Sequence, residues 1–222
     1  MRSLRNALHF LSLVSLLALG GCTQVYSDFT ERSISLEPGD LERGGLAFIT
    51  PSTVTGQEEE KQAVALSFSN VLQSERPEIR IVTLAEVLSL VNTTGLDVQY
   101  KEMYEDYRDS GLFKRELLKE IGETLGTRYL AQLKLQGFKQ GDKNRIQFFG
   151  VRIVETQEAT LRLFLQIWDA SDGTIAWEGV EELRSSRDTF IEDPVTLQDT
   201  MKLAAKEMID NLPQSKNQGD QP

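Results

Sequence analysis

The side chains best suited to chemistry are scarce in this chain of 222 residues. Its single cysteine, Cys22, and single histidine, His9, both lie in the first 22 residues. The rest has no thiol or imidazole, which excludes Cys and His nucleophile–base pairs, histidine general bases and the usual zinc ligands. A disulfide within one chain is impossible. There is no Gly-x-Ser-x-Gly, no Ser-x-x-Lys, no phosphate-cradling glycine loop and no dinucleotide fingerprint. Carboxylates remain. Glu155, Glu158, Glu178, Glu181, Glu182, Glu192 and Asp193 are numerous enough to place some pair at a glycosidase-like separation, but no spacing singles one out. A solvated acidic face accounts for them.

Asp169, Ser171, Asp172 and Gly173 place oxygen ligands before a glycine, as a calcium loop does. A twelve-residue loop starting at Asp169 needs a glutamate where Val180 stands, so the segment reads as a hairpin turn. Trp168 and Trp177 flank it inside strand patterns and read as packing residues. Tyr100, Tyr104 and Tyr107, with Met103, recur at helical spacing within the charged segment from Asp97 to Asp109. Tyrosine gives large contact area at low entropy cost, so an exposed stripe there is the candidate partner-binding site; the alternative is a helix packing its one apolar face. No metal, cofactor or catalytic residue is expected.

At the N-terminus Arg2 and Arg5 precede an apolar run, His9 to Leu19, that is too short for a permanent span and reads as an export signal. The run ends Leu19-Gly20-Gly21-Cys22, which resembles the lipobox of bacterial lipoproteins. The resemblance implies cleavage before Cys22 and a lipidated Cys22 thiol, with palmitate-type acyl chains anchoring the protein in a membrane. Thr23, where an aspartate would signal inner-membrane retention, implies the outer membrane with the body facing the periplasm.

Lys and Arg number 24 against 34 Asp and Glu, a net charge of −10 with a pI near 4.8. Phosphate binding needs a basic face, so nucleic acid is excluded as a primary partner, and the body will not adhere electrostatically to anionic lipid. The lipid alone would hold it.

The elements that must position these residues follow from periodicity. Residues 22–45 are polar and broken by Pro38-Gly39 and Gly44-Gly45, reading as a lipidated tether with at most a short edge element. A domain spans 46–212. Leu46 to Ile49 reads as a buried strand closed by Pro51, Glu58 to Glu60 favour a helix start, and Val64, Phe68, Val71 and Leu72 share that helix's face. Ile79 to Thr83 is a second strand. Leu84, Val87, Leu88 and Val91 mark a helix stopping near Gly95, and Leu117, Leu118, Ile121 and Leu125 mark another closed by Gly126.

The period then changes to two. Tyr129 to Leu135 and Leu161 to Ile167 alternate, Gln147 to Glu155 reads as a strand between them, and Asp172-Gly173 turns the chain into Ile175 to Leu183. A last helix carries Leu197, Met201, Ala204, Ala205, Met208 and Leu212, and residues 213–222 read as a disordered tail. The fold class is α/β. A single mixed sheet has a parallel strand–helix–strand first half and an antiparallel meander second half, with helices packed on it.

The run Gly126-Thr127-Arg128-Tyr129-Leu130, the strand ending Ile167-Trp168-Asp169-Ala170-Ser171-Asp172-Gly173 and the following Ile175-Ala176-Trp177 resemble an anticodon-binding-like α/β domain of envelope proteins. It is found in the curli secretion channel subunit, in the N-terminal domain of the Tol propeller protein and in lipoprotein activators of penicillin-binding proteins. The resemblance implies a non-catalytic binding or regulatory module for another cell-envelope protein, either a peptidoglycan-synthase activator or a secretion or assembly subunit. A carboxylate-based cell-wall hydrolase and a small-ligand-binding lipoprotein are the rival readings.

Overall fold

The structure, a computed structural model, describes residues 23–148, 151–189 and 195–215, and side chains within 24–141, 156–187 and 195–215. Among the described residues, seven strands form one mixed sheet. They are β1 (Thr23–Ser33), β2 (Leu46–Phe48), β3 (Ser52–Thr53), β4 (Ile81–Val82), β5 (Tyr129–Phe148), β6 (Val151–Asp169) and β7 (Thr174–Thr189). Six helices accompany them: α1 (Asp40–Gly44), α2 (Glu58–Glu75), α3 (Leu84–Thr94), α4 (Asp97–Ser110), α5 (Arg115–Leu125) and α6 (Leu197–Asp210). Strand order is β1-β7-β6-β5-β2-β4, with β3 also on β5.

Pairing divides as the sequence periods imply. β2 lies parallel to β4 and β5, and β3 parallel to β5, while β5, β6, β7 and β1 pair antiparallel. β2 and β3 run along the same partner strand on either side of Pro51, which has no N–H to give to the ladder. Local chemistry sets the helix ends. Thr83 and Thr196 form capping boxes with Glu86 and Asp199, and Gly126 takes φ +63° to close α5.

Two expectations are overturned. The segment 22–45 is not a free tether: β1 pairs with β7 from Thr23 opposite Arg187 to Ser33 opposite Trp177. Beyond it Leu36 and Leu41 are buried in the core, and Arg76, at the end of α2, pairs with Glu42 of α1 at 2.9 Å. Nor is Gln147 to Glu155 a strand of its own. Gln147 and Phe148 end β5 and Val151 to Glu155 begin β6, and those two strands pair through irregularities near Leu135/Gly137 and Asn144/Ile146. Residues 1–22, with the expected signal, and 216–222 of the tail expected at 213–222 lie outside the described residues, while Ser215 within that tail donates through Oγ to Glu42 at 3.2 Å.

The sheet is covered on both faces. One carries α2 and α6 over Leu133, Leu135, Leu163, Leu165, Ile167 and Trp177. The other carries α3, α4 and α5 over Ala47, Ile49, Leu130 and Trp168. The two tryptophans are buried on opposite faces, as packing residues. Gly122 of α5 lies so close to Ala170 that a Cβ would meet that residue's methyl at 2.6 Å, so its smallness serves packing between α5 and the β6–β7 turn.

Candidate functional site

Cys22, the expected lipidation site, lies outside the described residues, and the strand begins at the next residue. The tyrosine stripe is described in full and is largely turned into the domain. Tyr100 is buried at 7 % exposure, and Tyr104 and Tyr107 are half-buried. Their rings build a cluster: Tyr104 meets Tyr100 and Phe113 edge-on, Tyr107 stacks on Phe113 at 4.3 Å, and Phe113 meets Trp168. The sequence identified one helical face correctly, and that face packs onto the domain. This arrangement matches the packing alternative for Tyr100, Tyr104 and Tyr107, and leaves only parts of Tyr104 and Tyr107 facing solvent.

Their hydroxyls hold a wall in place. Thr50 N–H donates to Tyr100 Oη at 3.0 Å, Thr50 Oγ1 lies 3.1 Å from that oxygen, and Tyr104 Oη lies 3.3 Å from it. Burial pushes the Tyr100 and Tyr104 hydroxyls above the usual tyrosine range, Tyr104 further. Tyr107 Oη donates to Gln166 Oε1 at 3.2 Å. Gln166 faces Gln132 across the β5–β6 ladder, and buried Gln132 donates through Nε2 to Ser52 Oγ at 3.3 Å.

In front of this network is a cleft of about 680 Å³. It is bounded by the β2–β3 loop with Thr50 and Ser52, by Lys61 of α2, by Tyr104 and Arg108 of α4, and by Lys134 of β5. Its place follows from topology. The connection leaving β2 crosses one face as α2, and that leaving β4 crosses the other as α3 to α5. Such a divergence opens a crevice at the carboxyl ends of parallel strands. Periodicity finds each element singly but not the cleft, because its cations come from distant parts of the chain.

Among the acids, Glu181 stands apart. It is 0 % exposed, on the face covered by α6, and neither carboxylate oxygen has a partner within hydrogen-bond geometry among the described residues. Burial pushes its pKa up; the nearby Ser27 hydroxyl offsets this only in part, and Glu207, Asp28 and Glu182 push the same way as burial. A raised carboxyl pKa is what a general acid needs, but this group is closed to any substrate. Glu192 and Asp193 and the Glu155 side chain lie outside the described residues.

The Asp169 segment is a turn, as expected. Asp169 Oδ1 accepts from Ser171 N–H at 2.9 Å and Ser171 Oγ at 2.6 Å, and its Oδ2 accepts from Arg128 Nε and an Arg128 terminal nitrogen at 2.9 and 2.7 Å. Burial raises the carboxyl, but those bonds outweigh it and hold the group below its usual range. Gly173 takes φ +77°. Among the described residues no cluster of three or more metal-ligating side chains occurs, and no helix is long and apolar enough to cross a membrane.

Among the described residues, the outer face of β6, β7 and β1 is not covered by a helix. It presents half-buried Phe164 and Val180, exposed Tyr26, and the Arg162–Glu182 ion pair at 3.0 Å.

Neither a family model nor a curated protein matches the chain. Several solved structures are similar to it. A PelC dodecamer subunit from Paraburkholderia phytofirmans is 11% identical, over 87% of this chain and 99% of that one, with a TM-score of 0.44. Lipoprotein GNA1162 from Neisseria meningitidis is 13% identical, over 76% of this chain and 99% of that one, at 0.41. The LpoB C-terminal domain from Salmonella enterica is 15% identical, over 63% of this chain and 82% of that one, at 0.34.

Proposed function

We propose that the chain is a lipid-anchored cell-envelope protein, held at the outer membrane and facing the periplasm, that serves as a non-catalytic binding or regulatory module for another envelope protein. The observation that carries this reading is the position of β1. The residue after the lipobox cysteine opens a strand paired with β7 over all eleven of its residues. An acyl group on Cys22 is then joined to the folded domain without an intervening tether, and the body sits against the membrane instead of ranging from it.

Of the two specific roles, a subunit of a secretion or assembly complex at the same membrane fits this geometry better than an activator of a peptidoglycan synthase embedded in the opposite one. Reaching across the periplasm needs the free segment that β1 and α1 take up. The hydrolase reading loses its best acid, because Glu181 is sealed in the core. The ligand-binding reading keeps one specific support, the cleft beside α4.

Photo-crosslinkers placed at Tyr26 and Val180 on the uncovered sheet face test the module reading in intact cells. The expected result is one envelope protein joined to the chain from both positions, with the adduct lost in Cys22→Ser. Absence of any adduct from either position contradicts the proposal, and so does an undiminished adduct in Cys22→Ser.

A further inference from the structure

We propose that the cleft at the carboxyl end of β2 and β3 binds an acidic saccharide, a ligand carrying carboxylates on hydroxylated rings. The inference stands on the cleft alone and does not depend on the lipid anchor.

Charge is the first argument. On a chain of net charge −10, the cleft gathers Lys61, Lys101, Arg108 and Lys134 against one acid, Glu105. A concave surface lined by one sign of charge concentrates the field and attracts the opposite sign. Lys134 makes no ion pair among the described residues. The other three are engaged only weakly: Lys61 with Glu58 at 3.4 Å, Lys101 with Glu105 at 3.9 Å and Arg108 with Asp109 at 3.3 Å. Pairs on an exposed surface are easily exchanged for a ligand carboxylate.

The arrangement of those cations selects the kind of anion. They do not converge on one point as donors around a single phosphate would. Lys101 and Arg108 are about 10 Å apart along α4, at 1.5 Å per residue, and Lys61 and Lys134 stand on other elements. The ligand must carry several separated charges.

The remaining lining selects its body. No leucine, isoleucine, valine, methionine or phenylalanine lines the cleft, and Pro51 is its one aliphatic side chain. A peptide ligand is normally read through apolar pockets for its side chains, and these are missing. Hydroxyls are present instead. Ser52 Oγ accepts from Gln132 Nε2 and Thr53 Oγ1 accepts from Gly56 N–H, so each keeps its proton for a ligand oxygen. The tyrosine hydroxyl chain fixes Thr50 beside them, with Tyr104 and Tyr107 completing the lining.

Titration calorimetry on the full chain in non-ionic detergent, with trigalacturonate as probe, tests the assignment. The expected result is saturable binding of one trisaccharide per chain, weakened about tenfold in Lys134→Gln and in Arg108→Gln, and unchanged in Lys119→Gln, which lies outside the cleft. All three positions are on the surface, so unchanged melting temperatures keep the comparison valid. The methyl-esterified trisaccharide, triaspartate and tripolyphosphate should each bind more weakly than trigalacturonate. The proposal is overturned by no saturable heat with trigalacturonate, by equal binding of its methyl ester, by tighter binding of triaspartate or tripolyphosphate, or by indifference to both cleft variants.

Discussion

Under α2 and α6 the sheet meets aliphatic side chains with Phe48, Phe68, Tyr129 and Trp177 among them, and this packing runs from Val64 to Leu72 of α2 and from Met201 to Ile209 of α6. Under α3, α4 and α5 it meets a shorter apolar patch that gives way to tyrosines and glutamines joined by hydrogen bonds, and then to solvent. The first face holds the fold together. The second also carries the cleft, because hydrogen-bonded aromatics let a wall be buried behind and polar in front. Burying a polar group is tolerable only where a partner meets it, and the tyrosine face supplies such partners.

Each side of this contrast can be broken. The largest loss is expected on the aliphatic face: Leu165→Ala, at a position with 0 % exposure, should cost about 2 to 5 kcal/mol in chemical denaturation. Arg162→Ala on the uncovered face should stay within about 0.5 kcal/mol. Equal losses at these two positions would mean that the β6 alternation does not divide core from surface.

A smaller effect of opposite sign is expected at the one acid inside the aliphatic core. Glu181 has a raised folded-state pKa, so the folded protein binds its proton more tightly than the unfolded chain does. Its contribution is most favourable below the unfolded carboxylate value and falls as pH rises through the raised one. Glu181→Gln should therefore stabilise the protein at neutral pH and lose that advantage below the ordinary carboxylate range. A benefit independent of pH would assign the effect to packing.

On the tyrosine face the hydroxyl is the point at issue. Tyr100→Phe keeps the ring in its aromatic cluster and removes the bond to Thr50, so it should cost about 0.5 to 1.5 kcal/mol. Hydrogen exchange at the Thr50 amide should quicken with it. Unchanged exchange would separate the tyrosine chain from the cleft wall.

Much of this division is legible before folding. The alternation of Leu161, Leu163, Leu165 and Ile167 fixes a core face because a one-residue slip would turn every leucine to solvent. The turn at Asp172-Gly173 and the helix end at Gly126 follow from backbone preferences within a few residues. β1 is different. Val25 and Tyr26 are both well exposed and only Phe29 reaches the core, stacking on Trp177, so no apolar period marks the strand, and β7, far away in the chain, tells it where to lie. The tyrosine helix shows the complementary failure: spacing reveals that the rings share a face, but Phe113 and Trp168, which cover that face, are not its helical neighbours. Gln132 and Gln166 read as ordinary polar positions in strands. Nothing local says that they meet behind a cleft.

The central claim, a domain joined to lipid at the first residue before β1, is tested most directly by labelling cells with a fatty-acid probe and comparing the wild-type chain with Cys22→Ser. The account predicts that the wild-type protein takes up label and fractionates with the membrane, and that Cys22→Ser takes up none while its domain still folds. Undiminished labelling of Cys22→Ser, or a wild-type chain without label, would contradict it.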